Sequence, residues 1–499
     1  MTTTMPKLGL VGLCAAVGFA AAVIAEGDYV VAVIAILALV GAGLIFRLPE
    51  TATLLVLFAI YSNLVVVLGR LHSSDPTEPL ETGSRAIIGG AVSLVLLIPL
   101  VYYIIVKRQR IIVDKPFLMM LLYFCTLLAS SVLARDKGIA LKGLTSFALE
   151  GLALYLLVVN VIRDFNTLRR VIWVVLLAGA FMASITIWQE VTMTTDNTYG
   201  GLAQRGGVFD TDATGVEKMV RTRAAGPVGE QNRYAQVLLV LVPLGVYLMV
   251  NAGTRASQIT ALVLTIIVLA GILLTFSRGG FVSLVAIVAL MPALGLLRAR
   301  HLLIPGLAAI LAVPVILPEY IVRIQSMARV PGLFSSHEER PDTSVSRRYA
   351  GNIATWEVFK QHPIIGVGPG HFAKYYSSAY VNRGGLAIQS RNFRGHNLYL
   401  EVMSEVGLIG LLAFLGIIGS IARRLYKLRR SVDVEGADLA KAFLLSILGY
   451  LLSAMFLHLA YPRYFFLLLA LAASTARLVK LAPENRDRQP AQSFAAAAR

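Results

Sequence analysis

Apolar runs of roughly 18 to 22 residues recur along nearly all of this 499-residue chain, and each can cross about 30 Å of hydrocarbon. Inside hydrocarbon a backbone segment must satisfy its own polar groups, which a helix does and an irregular segment does not. Charged residues are 15% of the chain and hydrophobic residues 57%, whereas a soluble domain carries about 25% charged residues. The sequence therefore predicts an all-α, polytopic integral membrane protein.

Hydropathy windows divide the chain into about 14 spans. The windows run roughly over 8–25, 29–46, 51–69, 86–106, 116–134, 143–162, 171–189, 234–250, 257–275, 279–297, 302–318, 397–421, 438–458 and 462–480. We group the chain into N-terminal transmembrane helices 1–189, a first long loop 190–233, central transmembrane helices 234–318, a large loop 319–395, C-terminal transmembrane helices 396–481 and a tail 482–499.

Basic residues in short loops predict the orientation, because cytoplasmic loops carry an excess of Lys and Arg. If the N-terminus lies inside, the basic clusters all fall in inside turns. These clusters are Lys107, Arg108 and Arg110; Arg163, Arg169 and Arg170; Arg298 and Arg300; Arg423, Arg424, Lys427, Arg429 and Arg430; and Arg477, Lys480, Arg486 and Arg488. We therefore expect both termini in the cytoplasm and both long loops, 190–233 and 319–395, outside.

The large outer loop is long for a structureless connection, so it should carry helices of its own. We predict a helix near 346–362, followed by a stop at Pro363 and a tight turn in Gly366-Val367-Gly368-Pro369-Gly370. The apolar residues that recur there at helical spacing are Tyr349, Ile353, Trp356 and Phe359.

The run Arg394-Gly395-His396-Asn397 leads from this loop into an apolar helix that carries Glu401 and Glu405. Ionisable groups at such a boundary are costly unless they are paired or used, so they indicate function. His396 is the candidate base because imidazole accepts a proton near neutral pH and Arg394 beside it favours the neutral form. The alternative is a histidine satisfied by a backbone carbonyl. Glu401 and Glu405 share a helix face and either orient an arginine or the histidine, or close a buried ion pair.

Arginine dominates the charge of the outer loops, and guanidinium groups grip oxyanions in a bidentate fashion. The alternative is a basic surface that rests on anionic lipid headgroups. We favour ligand binding for Arg278, in Ser277-Arg278-Gly279-Gly280 at an outer boundary, and for Arg348. Further substrate contacts are predicted at Arg223, Arg347, Arg391, Arg394, Asn397, Glu401 and Glu405.

No metal or other cofactor is expected. His337, His362 and His371 lack ligand-like spacing. Asp210-Thr211-Asp212 has the Asp-x-Asp pattern that can hold a divalent ion on a diphosphate, but such triplets are common by chance. A net charge of +17 does not indicate nucleic acid here, because the cationic residues follow the loops of a membrane protein.

The order of these motifs resembles the O-antigen ligase and O-antigen polymerase superfamily. The motifs are Gly226-Pro227-Val228-Gly229-Glu230-Gln231-Asn232-Arg233-Tyr234-Ala235, Ser277-Arg278-Gly279-Gly280, Arg348 upstream of Trp356, His362-Pro363-Ile364-Ile365-Gly366-Val367-Gly368-Pro369-Gly370-His371-Phe372, and Gly395-His396-Asn397-Leu398-Tyr399-Leu400-Glu401 with Glu405-Val406-Gly407. The resemblance covers about residues 220–420, and elsewhere the chain is similar in hydropathy alone.

The resemblance implies inverting, metal-independent transfer of a glycan from undecaprenyl diphosphate at the outer face of the bacterial cytoplasmic membrane. The acceptor in this superfamily is a hydroxyl of a lipid, a glycan or a protein. Two arginines and one histidine act at the reaction centre of the ligase branch, and they correspond to Arg278, Arg348 and His396, with Arg347 as the adjacent alternative to Arg348. The chain departs from common ligases by about two extra N-terminal spans.

Two other functions compete with a ligase. A polymerase performs the same chemistry and differs only in its acceptor. A transporter of a small anion such as bicarbonate would show paired interrupted helices and repeated halves, whereas here the polar residues concentrate in outer loops.

Overall fold

The computed structural model of the protein describes residues 48–71, 92–211, 217–298, 343–375, 395–431, 433–459 and 462–497. Thirteen helices lie in this part of the chain, besides a one-turn 3-10 helix at Tyr199–Gly201. They are α1 (Pro49–Tyr61), α2 (Leu64–Leu71), α3 (Leu94–Val106), α4 (Lys115–Leu133), α5 (Lys137–Val161), α6 (Phe165–Val191), α7 (Gln231–Asn251), α8 (Arg255–Leu274), α9 (Arg278–Leu294), α10 (Thr343–Gln361), α11 (Leu398–Leu428), α12 (Val434–Phe456) and α13 (Pro462–Ala497).

Eight of the described helices are long and apolar enough to cross a membrane, namely α4 to α8, α11, α12 and the first part of α13. Three shorter apolar helices, α1, α3 and α9, accompany them. The architecture is therefore that of a multi-pass membrane protein. Eight of the roughly 14 predicted spans are present as full-length helices among the described residues. The predicted spans 8–25, 29–46 and 302–318 lie outside the described residues.

The helices of the bundle differ in how many apolar side chains they leave exposed. Helices α4 and α8 leave large apolar side chains exposed, including Leu118 and Leu122 on α4 and Ile259 and Ile266 on α8. In contrast, α7 and the first part of α13 are almost completely enclosed by the other helices. An apolar outer surface around an apolar core is the pattern expected of helices that lie against hydrocarbon.

The predicted span at 51–69 is wrong as one continuous helix, because the chain breaks between α1 and α2. Asn63 sits at the break in a left-handed conformation with φ 59°. Its side chain donates to the Pro227 carbonyl at 2.7 Å and accepts a hydrogen bond from the Arg463 guanidinium. Arg463 also donates to Glu150 at 2.7 Å, and both of these side chains are 2% exposed. A buried ion pair needs such extra hydrogen bonds to offset its desolvation.

The all-α prediction needs one correction, a β-hairpin in the first loop. Strand β1 (Gln204–Thr211) pairs antiparallel with β2 (Glu217–Gly226), in a register that aligns Gln204 with Gly226 and Thr211 with Glu217. One anchor of the hairpin is Arg205, whose guanidinium donates to Gln189 at 3.0 Å and forms an ion pair with Glu190 on α6. Pairing lets the loop satisfy its own backbone polar groups.

The predicted helix at 346–362 is confirmed by α10, and the glycines of the following turn adopt positive φ as expected, 78° at Gly366 and 106° at Gly368. This turn docks where α11 is broken, at Gly407 with φ 70° and ψ −172°. Three backbone hydrogen bonds join the two segments. They run from Val367 N to Ser404 O at 3.1 Å, from Gly368 N to Glu405 O at 2.9 Å and from Leu408 N to Pro363 O at 2.8 Å.

Several predicted inside turns meet at one end of the bundle. The Arg477 guanidinium donates to the carbonyl of Ile162 just after α5, and Arg169 forms an ion pair with Glu435 in the first turn of α12. Arg163 donates to the Arg110 carbonyl at 3.1 Å. The first residues of α11, including the neighbours of His396, lie at the other end of that long helix.

Replacing Gly407 by alanine should destabilise the protein by about 3 kcal/mol, because the backbone there requires glycine and a Cβ would collide with the carbonyl of Ile364. Thermal unfolding in detergent is the measurement. Gly419→Ala on the same helix is the matched control, since a Cβ at Gly419 meets nothing within 4 Å. Equal melting temperatures for the two variants would contradict the docking described above.

Candidate functional site

Arg278 is the first residue of α9 and follows a strained turn. Phe276 has φ 47°, which is uncommon for a residue with a side chain. Ser277 is the N-cap of α9, and its hydroxyl accepts from Gly280 N at 3.2 Å and donates to Asn232 Oδ1 at 2.9 Å. The Arg278 side chain is half-buried. The capped N-terminus of α9 therefore fixes the backbone position from which the Arg278 side chain extends.

His396 directly precedes the N-cap of α11, as Phe276 precedes the N-cap of α9. It has φ 46°, and Asn397 after it is the N-cap of α11, accepting from Tyr399 N at 3.1 Å and Leu400 N at 3.2 Å. Asn397 therefore caps α11, and its role as a substrate contact stays a prediction. Left-handed residues other than glycine persist where the surroundings enforce them, and they cluster at functional sites.

His458, which the sequence analysis did not single out, lies against His396. The two rings meet edge to face, with centroids 5.9 Å apart and planes at 70°. The Arg233 guanidinium donates to the His458 carbonyl at 2.8 Å, and its second nitrogen lies 3.4 Å from His458 Nε2. Arg233 is 3% exposed. A buried arginine needs such partners, so Arg233 and His458 form a fixed wall beside the His396 ring.

The start of α7 joins the Arg278 and His396 motifs. Glu230 accepts from Asn232 Nδ2 at 2.9 Å and from Arg233 N at 2.9 Å. Asn232 then contacts Ser277 before Arg278, whereas Arg233 contacts His458 beside His396. These hydrogen bonds, with the ring contact between His458 and His396, hold the beginnings of α9 and α11 at the same end of the bundle. The sequence signal was present in the Gly226 to Ala235 motif, but the partner His458 is distant in sequence.

Arg348 lies on α10, half-buried, about two helical turns before Thr355 and so on the same helix face. A Cβ built on Gly395 would lie 2.9 Å from Thr355 Oγ1, so α10 rests directly against the residue that precedes His396. A small core of Ala354, Val358, Val367, Phe372 and Tyr375 holds this part of the outer loop together.

Several predicted residues lie outside the described part of the chain. Arg391 and Arg394 are among them, and so is the side chain of Arg347. The choice between Arg347 and Arg348 therefore stays a prediction. Arg223 lies on β2 opposite Gly206 and is half-buried; its hairpin leads directly into the Gly226 to Ala235 motif.

The two carboxylates of α11, Glu401 and Glu405, differ in burial and in the groups around them. Glu401 is 5% exposed, and its Oε2 would lie 3.8 Å from a Cβ on Gly395. The Glu401 side chain therefore packs against Gly395, the residue before His396. Glu405 is half-buried, and its backbone carbonyl accepts from Ser130 Oγ at 2.6 Å as well as from Gly368 N. The Glu405 backbone therefore helps to dock the turn that follows α10.

His371 is a structural residue. Its ring is fully buried, and Nε2 accepts from the backbone N of Asp136 at 3.1 Å. Asp136 also pairs with Lys374 at 2.6 Å, and the hydrogen bond from Lys374 lowers the pKa of Asp136 to about 2. The carboxylate is therefore ionised near neutral pH, and this ion pair holds the segment after the turn on the connection between α4 and α5.

No group of three or more His, Cys, Asp or Glu side chains suited to a metal ion occurs among the described residues. Asp212 and the side chain of Asp210 lie outside them. The expectation of metal-independent chemistry stays a prediction.

The sequence model of a family described as O-antigen ligase matches residues 261–415. This part of the chain is thus similar to the O-antigen ligase family. The finding confirms the predicted resemblance to the O-antigen ligase and polymerase superfamily. The matched segment includes Arg278, Arg348 and His396. Arg233 precedes this segment and His458 follows it. No curated protein matches the chain.

Ser277→Ala should lower the activity of the protein by about tenfold, because it removes the hydroxyl that joins the start of α9 to Asn232. Loss of the cap itself should cost about 1 kcal/mol. Thr254→Ala is the control, since Thr254 Oγ1 caps α8 by accepting from Ser257 N at 3.2 Å at the far end of that helix. Activity and melting temperature are measured on both variants. Equal activity losses would contradict a positioning role for Ser277.

Proposed function

We propose that the protein transfers a glycan from undecaprenyl diphosphate to an acceptor hydroxyl at the extracytoplasmic face of the bacterial cytoplasmic membrane, without a metal and with inversion at the anomeric carbon. The observation that carries this proposal is a series of contacts from Ser277 to His396. Hydrogen bonds lead from Ser277 to Asn232 and from Arg233 to His458, and an edge-to-face ring contact joins His458 to His396. These contacts place the Arg278 and His396 motifs of the matched segment at one end of the bundle.

The leaving diphosphate would be stabilised by positive charge that is fixed before the reaction. Arg278 and Arg348 supply guanidinium groups, which suit phosphate oxygens. The N-terminal ends of α9 and α11 add partial positive charge, since helix N-termini favour anions. Charge that is already in place when the bond to the diphosphate breaks lowers the barrier directly.

His396 would act as the general base. A neutral imidazole nitrogen takes the proton of the acceptor hydroxyl while its oxygen attacks the anomeric carbon. The bond between that carbon and the diphosphate oxygen breaks, and the diphosphate leaves with the electron pair. A single displacement of this kind inverts the configuration. The edge-to-face contact with His458 supports this role, because it limits rotation of the His396 ring.

The extracytoplasmic location is supported by the basic residues at the opposite end of the bundle. Arg163, Arg169 and Arg477 meet there, and short basic turns mark the cytoplasmic side. The start of α11 then faces outward, where lipid-linked glycans are used. On the same basis both termini are proposed to be cytoplasmic.

The family match supports a glycosyltransferase-like enzyme in polysaccharide biosynthesis and offers nothing in favour of a small-anion transporter. Ligase and polymerase activities share the site described above. Incubation of purified protein with lipid-linked repeat units alone separates them, because a polymerase produces a ladder. A ligase produces a single conjugate when lipid A–core is added. Folded protein that forms neither product with any lipid-linked donor would contradict the proposal.

Arg278→Ala and His396→Ala should each reduce transfer by at least about 100-fold, since single charge-stabilising or base groups contribute factors of this size. Release of free undecaprenyl diphosphate is the readout. Arg255→Ala is the matched control because Arg255 is exposed at the far end of α8. Wild-type rates in either site variant, at equal protein levels in the membrane, would overturn the assignment.

A further inference from the structure

A basic cavity lies at the end of the bundle opposite His396. Its volume is about 220 Å³, and it is lined by Lys115, Ser420, Arg423, Arg424 and Lys427. Lys115 is the first residue of α4, and the other four lie near the end of α11. Residues three and four apart share a helix face, so the α11 side chains converge on the start of α4.

The cationic side chains of this cavity lie near the carboxylate of Asp114 but form no ion pair with it. Among the described residues, none of the four cationic side chains forms an ion pair with a carboxylate. The neighbouring Asp114 accepts instead from Phe117 N at 3.0 Å and from the Tyr155 hydroxyl at 2.9 Å. Other cations at this end do have acidic partners.

Those partners show that the lack of ion pairs is local. Arg169 pairs with Glu435, Arg170 pairs with Glu50 at 2.7 Å, and Lys441 pairs with Asp438 at 2.9 Å. The cavity between α4 and α11 therefore differs from its surroundings, because its cationic side chains form no ion pairs whereas these other cations do. The cationic side chains around this cavity suit a phosphate group, whereas the Ser420 hydroxyl on its wall donates to the Ile417 carbonyl at 2.8 Å.

Apolar side chains continue from the cavity along both helices. Leu118 and Leu122 follow Lys115 on its face of α4 and are 50% and 49% exposed. Leu415 and Leu412 precede Arg423 on its face of α11 and are 40% and 61% exposed. A cationic site next to exposed leucines on both of its helices is complementary to an amphiphile with a phosphate head and acyl chains.

We propose that this cavity binds the headgroup of an anionic phospholipid from the leaflet opposite the candidate active site. The guanidinium groups of Arg423 and Arg424 hold the phosphodiester, and the acyl chains lie over the exposed leucines of α4 and α11. Only the leaflet assignment rests on the proposed orientation. The lipid would hold the far end of α11, the helix that starts beside His396, against α4.

The test compares lipid binding to the full-length protein, purified in a neutral detergent and titrated with phosphatidylglycerol or phosphatidylcholine. Native mass spectrometry reports bound lipid, and melting temperature reports stabilisation, which a ligand of the native state must produce. Phosphatidylglycerol is expected to bind at least about tenfold more tightly than phosphatidylcholine. Equal binding of the two lipids would overturn the proposal.

The decisive variant is Arg423→Gln/Arg424→Gln/Lys427→Gln, which should lose at least about tenfold of the preference for phosphatidylglycerol. Its control is Lys107→Gln/Arg298→Gln/Arg430→Gln, which removes equal charge from exposed sites at the same end and should keep the preference. Arg424→Gln alone, expected to lose about threefold, serves if the triple variant does not fold. Equal losses in variant and control, or displacement of phosphatidylglycerol by millimolar inorganic phosphate, would overturn the lipid site.

Discussion

The docking of the Pro363 to Gly370 turn onto the broken helix α11 is the constraint on which the candidate site depends. The turn and the helix are joined by backbone hydrogen bonds from Val367, Gly368 and Leu408. This joint requires Gly407, whose backbone has a positive φ and an extended ψ that residues with a side chain rarely adopt. Since α10 precedes the turn and His396 precedes α11, this joint sets how the helix that carries Arg348 lies against the residue before the histidine.

A second buried network completes the arrangement from the other side. Arg233 is enclosed by protein and must be satisfied there; its contacts to Glu230 and His458 do this. The same network explains why the starts of α7 and α9 are held together at Asn232 and Ser277. Charged groups that would be costly in isolation thus become the fixed framework around His396.

Much of this architecture follows from local sequence patterns. Long apolar runs predict α4 to α8 and α11 to α13, and the glycines after Pro363 predict the turn, because both depend on neighbours in the chain. The break at Asn63 and the pairing of Arg463 with Glu150 could not be predicted, since their partners are hundreds of residues apart. His458 was missed for the same reason: only the fold brings it beside His396. The hairpin of β1 and β2 was missed because strand pairing has little local signal in a polar loop.

The central claim is that guanidinium groups and one imidazole at this end of the bundle receive a departing diphosphate. A cryo-electron microscopy structure of the protein with bound undecaprenyl diphosphate tests it most directly. The account predicts phosphate oxygens about 3 Å from the guanidinium groups of Arg278 and Arg348, with the His396 ring facing the terminal phosphate. A diphosphate bound without contact to either arginine would contradict it.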